Sequence, residues 1–339
     1  MKAAGSALLF LLSLFLQSWN ANFRDLRKYT LKGYAQGTDY TIAYYAEGAV
    51  VDQRQVDSLL AVIDSSMSLY KPYSLINKIN AGPKGSYAID AHFRRVLGKS
   101  FEIVKDSQGI FDVTVAPLVQ LWGFGTAPVD RFPDSAAVRQ ALRCVGMEKI
   151  RLKGNYLEKL DACVQLDFNG IAQGYTVDVL ANMLEDCGIR HYVVELGGEL
   201  RVRGPKPDGS PMRIGMERPA TEWGDSPLVQ DVMSITEGAI TTAGNYRRYL
   251  QDGDHRVSHH IDPKTGYPFD TEIISATLYA NDALTADGYD NVFMAMKAAE
   301  AVTFANARKD MEVFVVYRDR SGVVRDTMST GFRDLLISK

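Results

Sequence analysis

Apolar and polar positions alternate with period two from Thr38 through DYTIAYYA, which predicts a half-buried strand. The period then changes. Val56, Leu59, Leu60, Ile63 and Met67 follow 3.6-residue spacing and predict an amphipathic helix. Asp90 can N-cap a second helix whose Phe93, Val96, Leu97, Phe101 and Val104 share a face, and Asp134 opens a third, short one. A strand is expected near Val164–Asp167, leading through Asn169-Gly170 into a helix that ends before Gly188. The stretch from His191 to Tyr279 reads as strand-rich, broken by Gly197-Gly198, Pro205–Pro211, Gly244 and Pro263–Pro268. A helix from Asp282, another over Ala298–Ala307 and a strand at Met311–Tyr317 are expected to close the chain. This mixture has no regular βαβ rhythm, so the pattern predicts an α+β fold with antiparallel sheets and packed helices.

Composition narrows the class. The 339 residues are 46% hydrophobic and 23% charged, enough to bury a large core and incompatible with a disordered scaffold or a disulfide-stapled miniprotein. A net charge of −3 without blocks of like charge excludes a general nucleic-acid binder. Lys2 is the only charged side chain in residues 1–21, and the mostly apolar stretch Ala7–Leu16 is about half the length a membrane span needs. That pattern predicts a secretory signal over residues 1–21, cleaved near Ala21, with an uncleaved anchor as the alternative. The rest, 22–339, is expected to form the functional domain, exported to the periplasm or to the outer side of the inner membrane. No cysteine near the signal allows lipid attachment there. Cys144, Cys163 and Cys187 fit no metal spacing, and their odd number leaves at least one unpaired; they are expected to be small buried hydrophobes.

Familiar phosphate cradles and hydrolase signatures are absent: there is no GxxxxGK[ST], GxGxxG, GxSxG or HExxH. Other segments carry the chemistry. In TADGYDN, helical spacing places Asp287, Asp290 and Asn291 on one face, a donor set suited to a hard cation such as Mg²⁺. Taken alone, an acidic solvated helix face is the better reading of that segment. In SHHIDPKTG, Pro263 and Gly266 force a tight turn that sets an imidazole near a carboxylate, as a general base or as a purely structural turn. A zinc pair of His255 and His259 lacks a third nitrogen or sulfur ligand. DFNGIAQGY reads as a strand-to-helix junction whose helix-start N–H groups can meet an anion and whose Ala172 carbonyl can face a cation. FDVTVAPL and LWGFG combine aromatic residues with glycines, as a flat ring ligand or an ordinary aromatic core requires.

Together and in this order, these segments resemble the FAD:protein FMN transferase family, also called the ApbE family. The resemblance runs through Gln36-Gly37-Thr38, Tyr70, Ser74 and Asn80, FDVTVAPL and WGFG, DFNGIAQGY, ELGGE, TAGNYR, HHIDPKTGYP and TADGYDN. It implies an α+β protein related to a duplicated T-fold. It also implies a Mg²⁺-dependent enzyme that moves FMN from FAD to a Ser or Thr of an acceptor flavoprotein subunit in a membrane or exported redox complex, releasing AMP. Metal ligation is implied for the Ala172 carbonyl, Asp287 and Asn291, with Asp290 beside them. Gln36, Tyr70, Phe111, Asp112, Asn169, Tyr175 and Ile261 would line the FAD site. His259 would be the base, Asp287 would serve catalysis through the metal, and Arg247 stands where it can stabilise nearby charge. The chain departs from the family's usual residues at Gln36, Gln173, Glu195, Ala243 and Asn291. Two alternatives stay in view: an FAD pyrophosphatase that keeps the site but uses water as acceptor, giving FMN and AMP, and, motivated by Gln173, Ala243 and Asn291, a non-catalytic exported FAD-binding protein.

Overall fold

The computed structural model describes residues 26–127, 129, 131–218, 228–245, 249–252 and 255–337. The expected signal at 1–21 and Arg247 lie outside these. An eight-stranded antiparallel sheet organises the molecule. Its strands, in spatial order, are β1 (Arg27–Ala35), β2 (Thr38–Ala46), β6 (Tyr192–Leu196), β7 (Glu199–Arg203), β10 (Glu237–Gly244), β13 (Ile273–Ala280), β14 (Met311–Arg318) and β15 (Val324–Met328). Three smaller sheets surround it. They are β3 (Gly85–Ala88) with β5 (Tyr156–Lys159) and β4 (Ile150–Lys153), the pair β8 (Met212–Arg218) and β9 (Leu228–Ile235), and the pair β11 (Tyr249–Asp252) and β12 (His255–Ser258).

Strand alternation sends side chains to both faces of the main sheet, and both faces are covered. On β14, Met311, Val313 and Val315 face one core while Phe314 and Val316 face another. The larger core packs the sheet against helices α1 (Gln53–Met67), α3 (Ala91–Asp106), α6 (Ala172–Asp186), α7 (Ala283–Met294) and α8 (Ala298–Asn306). The smaller core packs it against the β8–β9 pair and α9 (Thr330–Leu335), through Met216, Met233, Ile235 and Phe332. Three short elements complete the helices: α2 (Leu75–Ala81), α4 (Ala116–Leu121) and α5 (Ser135–Leu142). Helix starts follow the expected caps. Asp90 accepts from Phe93 N–H at 2.8 Å, Asp134 caps α5, and Asp282 accepts from Thr285 N–H at 2.8 Å. Gly188 takes the left-handed conformation just past α6, with φ 79°. Among the described residues no helix is long and apolar enough to cross a membrane.

Three expectations change. The stretch Val164–Asp167 makes a single bridge, Val115 to Gln165, and is no strand. A side chain supplies the missing ladder: Asn80 accepts from Leu166 N–H at 2.7 Å and donates to Leu166 O at 2.9 Å. Second, β14 does not close the chain, since β15 and α9 follow it; β15 is an exposed edge with no burial alternation to read. Third, the cysteines are not all small buried hydrophobes. Cys144 and Cys163 form a disulfide with Cα atoms 5.3 Å apart, and Cys187 is free and exposed. The disulfide joins the end of α5 to the segment entering Val164.

Helices α6 and α7 cross closely because Gly174 lacks a side chain. A Cβ there would stand 2.1 Å from the Ala283 carbonyl oxygen and 2.6 Å from Asp287 Cβ. Gly98, within α3, has only Leu152 Cδ2 at 4.0 Å. Gly174→Ala is therefore expected to destabilise by about 1–3 kcal/mol through overpacking. Gly98→Ala should be neutral or stabilise by up to about 1 kcal/mol. Urea unfolding of the two variants measures both.

Candidate active site

The helix α6 begins with no side-chain cap of its own: Ile171, at the cap position, has none to offer. The cap comes from 113 residues away. Asp287, on α7, accepts from Gly174 N–H at 2.7 Å and also from the Gln173 amide. The helix-start N–H groups expected to meet an outside anion thus already hold one of the chain's own. Asp178, also on α6, returns the contact by accepting from Ala283 and Leu284 N–H at 3.0 and 2.9 Å, and Arg201 pairs with Asp178 at 2.8 Å.

Asp287 and Asp290 are 5% and 3% exposed, so the solvated-face reading of TADGYDN fails. Nearly every residue of α7 is buried, because α6, α3 and the main sheet all pack on it. Burial, and to a lesser degree the Asp178 charge, push the Asp287 carboxyl up to about 7, against the pull of its two backbone donors. Burial and the neighbouring Asp287 push Asp290 well above the ordinary carboxylate range. Asn291 Nδ2 donates to Asp290 Oδ1 at 2.9 Å and to the carbonyls of Gly170 and Asp287 at 3.1 Å.

These groups form the floor of a cavity of about 430 Å³. Gln36 enters from the β1–β2 turn, where it takes a left-handed conformation (φ 52°), and its amide donates to Thr176 Oγ1 at 3.0 Å. The Thr176 hydroxyl in turn donates to the Ala172 carbonyl at 2.8 Å, and Ala172 also lines the cavity. Tyr70 stands at the rim, 59% exposed, and Phe111 is buried in the wall. Asp112 also lines the cavity; burial raises its carboxyl despite bonds from Thr114 N–H and Oγ1 at 2.7 and 2.6 Å. Asn169 is set by its N–H donating to Asp167 Oδ1 at 2.7 Å.

The remaining wall is the His259–Ile261 turn. Asp262 spends its carboxyl inside that turn, accepting from Lys264 N–H at 2.8 Å and Thr265 Oγ1 at 2.9 Å. Trp122 Nε1 donates to Gly266 O at 2.8 Å and ties the turn to the aromatic cluster of α4 and α5. His259 lies with its ring centroid 4.0 Å from that of His260 and meets Phe124 edge-on at 6.1 Å.

His259, Asp287, Asp290, Asn291, Ala172, Gln36, Tyr70, Phe111, Asp112, Asn169 and Ile261 all line this one cavity. Tyr175 does not. It points elsewhere from α6, its hydroxyl 2.8 Å from His92 Nδ1, and burial raises that hydroxyl to about 12. Sequence reasoning gave no role to Asp64 or His260, which also line it. Both carried a faint mark: Asp64 borders the apolar stripe of α1, and His260 shares the tight turn with His259.

Among the described residues, no three His, Cys, Asp or Glu side chains gather in a way that could hold a metal ion. What the cavity floor does offer is oxygen: two buried carboxylates, neither with an ion-pair partner among the described residues, the Ala172 carbonyl and the Asn291 amide. That set fits a hard cation and no soft one.

The ApbE family profile matches residues 36–315. The FAD:protein FMN transferase of Vibrio cholerae is 32% identical, the alignment covering 90% of this chain and 92% of the relative. That of Haemophilus influenzae is 31% identical over 93% and 94%. The chain belongs to the ApbE family. The solved flavin transferase ApbE from Vibrio cholerae superposes with a TM-score of 0.83 at 31% identity, covering 92% of this chain and all of that one. The mixed, largely antiparallel architecture is thus the family's own.

Because the Asp287 carboxyl is raised from 3.8 to about 7 on folding, the folded protein binds more protons than the unfolded chain between those values. The group therefore contributes stability below about pH 4 that is lost as pH rises through about 7. In chelator-treated protein, Asp287→Asn, which can still accept from Gly174, should gain stability relative to the parent between pH 5 and pH 8. Thermal unfolding at the two pH values checks the sign.

Proposed function

We propose that this chain is an FAD:protein FMN transferase that uses Mg²⁺ and acts on a Ser or Thr of an acceptor flavoprotein subunit. The observation that carries the reading is the meeting, in one cavity, of the buried Asp287–Asp290 pair, the Ala172 carbonyl and His259. A pyrophosphate is a concentrated anion, and it can lie beside two carboxylates only with a cation between. Asp287, Asn291 and the Ala172 carbonyl would hold Mg²⁺, with Asp290 adjacent. When bound, Mg²⁺ supplies the positive charge that offsets the two phosphates and the departing AMP.

The rest falls to the chain's own groups. The acceptor hydroxyl oxygen forms a bond to the FMN phosphorus as the anhydride bond to AMP breaks. His259 takes the hydroxyl proton, and AMP leaves with the bonding electrons. Phe111 and Tyr70 offer aromatic surfaces to the ring systems of FAD, and Gln36, Asp112 and Asn169 offer hydrogen bonds. The Cys144–Cys163 disulfide suits an oxidising compartment, which supports export by the signal-like residues 1–21 to the periplasm or the outer face of the inner membrane.

Mass spectrometry of the purified protein with FAD, Mg²⁺ and an acceptor domain bearing a Ser/Thr segment tests this. An acceptor gain equal to one FMN, abolished by EDTA, is expected. His259→Asn should slow transfer by roughly 10²–10⁴-fold. Free FMN and AMP with an unmodified acceptor would make the protein a pyrophosphatase, and unchanged FAD a binding protein.

A further inference from the structure

His260 is 7% exposed, and its Nε2 is shut off from water with no hydrogen-bond partner among the described residues. An unpaired buried polar atom of this kind is destabilising, and a phenyl ring packed in the same place would avoid that cost. The residue is firmly set. Phe269 N–H donates to His260 O at 2.9 Å, Asp262 N–H donates to Tyr267 O at 2.8 Å, and Ile261 bridges Pro268. On this fixed base the His259 ring rests, 4.0 Å away with the planes at 37°. Burial, with His259 adding to it, holds the His260 imidazole well below its usual range, so that ring stays uncharged at neutral pH.

We propose that His260 is the positioning residue of the transfer step: packed against His259, it holds that ring ready for proton uptake and, through its own ring dipole, stabilises the imidazolium formed there. This rests on the reading of His259 as proton acceptor. A charged group beneath His259 would repel the incoming proton. A neutral imidazole with an unpaired nitrogen, buried in a medium of low dielectric, offers a fixed dipole that needs no reorganisation as charge develops. It also blocks rotation of the His259 ring, and a displacement of about 1 Å at such a centre costs roughly 10²-fold in rate.

The test compares FMN transfer from FAD, with Mg²⁺ and a Ser/Thr acceptor domain, in the full chain and in His260→Ala, His260→Phe, His259→Asn and the double variant His259→Asn/His260→Ala. His260→Ala is expected to lower kcat by about 10–10²-fold with KM for FAD moving less than about threefold. His260→Phe, which restores the ring without its nitrogens, should fall between His260→Ala and the parent. In the His259→Asn background, His260→Ala should cost nothing further, because its effect passes through His259. An equal loss in both backgrounds would reduce His260 to a piece of the wall and overturn the proposal. A raised KM with unchanged kcat would make it a nucleotide contact and overturn it too. If His259→Asn transfers at the parent rate, the proton-acceptor reading falls first; if His259→Asn is slow and His260→Ala is not, only the present proposal falls.

Discussion

The carboxylate of Asp287 closes the open end of a helix that has no cap of its own. Much of the cavity is arranged around that contact. It fixes α6 against α7, and with them the Ala172 carbonyl on one helix and Asp290 and Asn291 on the other. The contact requires Gly174, since any Cβ there would collide with the Ala283 carbonyl. It also requires Asp178, which caps α7 in return and is itself neutralised in part by Arg201. The two helices are thus joined by reciprocal caps, each an anion at a helix N-terminus. A strained arrangement of negative charge is tolerated because four backbone donors help to hold it.

That charge is poised between two uses. In the absence of a cation, the helix start and a retained proton stabilise Asp287. A bound cation would share the same oxygen atoms and displace the proton. On the proposed reading, a cation would need little rearrangement of the cavity, because Asp287 and Asn291 are already held in place by bonds the fold requires.

Much of this was legible in the sequence, and the rest was hidden for identifiable reasons. The caps at Asp90, Asp134 and Asp282 were readable because capping is local: side chain and target N–H lie within three residues. The amphipathic stripe of α1 was readable because one face of it stays wet. Helix α7 was not readable as a buried element, since a helix packed on all sides carries no stripe, and its acids then look like a solvated face. The cap of α6 by Asp287 spans 113 residues and leaves no local pattern. Asn80 standing in for a strand partner of Leu166, and Cys144 finding Cys163 rather than remaining a lone hydrophobe, are contacts of the same tertiary kind. The order of motifs along the chain carried the family, whereas Tyr175, in the same motif as Ala172, lies outside the cavity lining and against His92.

The contacts that close the cavity join parts of the chain far apart in sequence: Gln36 to Thr176, Gly174 to Asp287, Trp122 to Gly266. No single fragment contains a working portion of it. Residues 36–176 lack Asp287 and Asp290, and residues 259–291 lack the helix that Asp287 caps. A chain still emerging from the ribosome is therefore chemically silent, and nucleotide it meets on the way is left intact. Its chemistry switches on only with the last tertiary contact, so the place where the chain completes its fold is also the place where its reactivity begins.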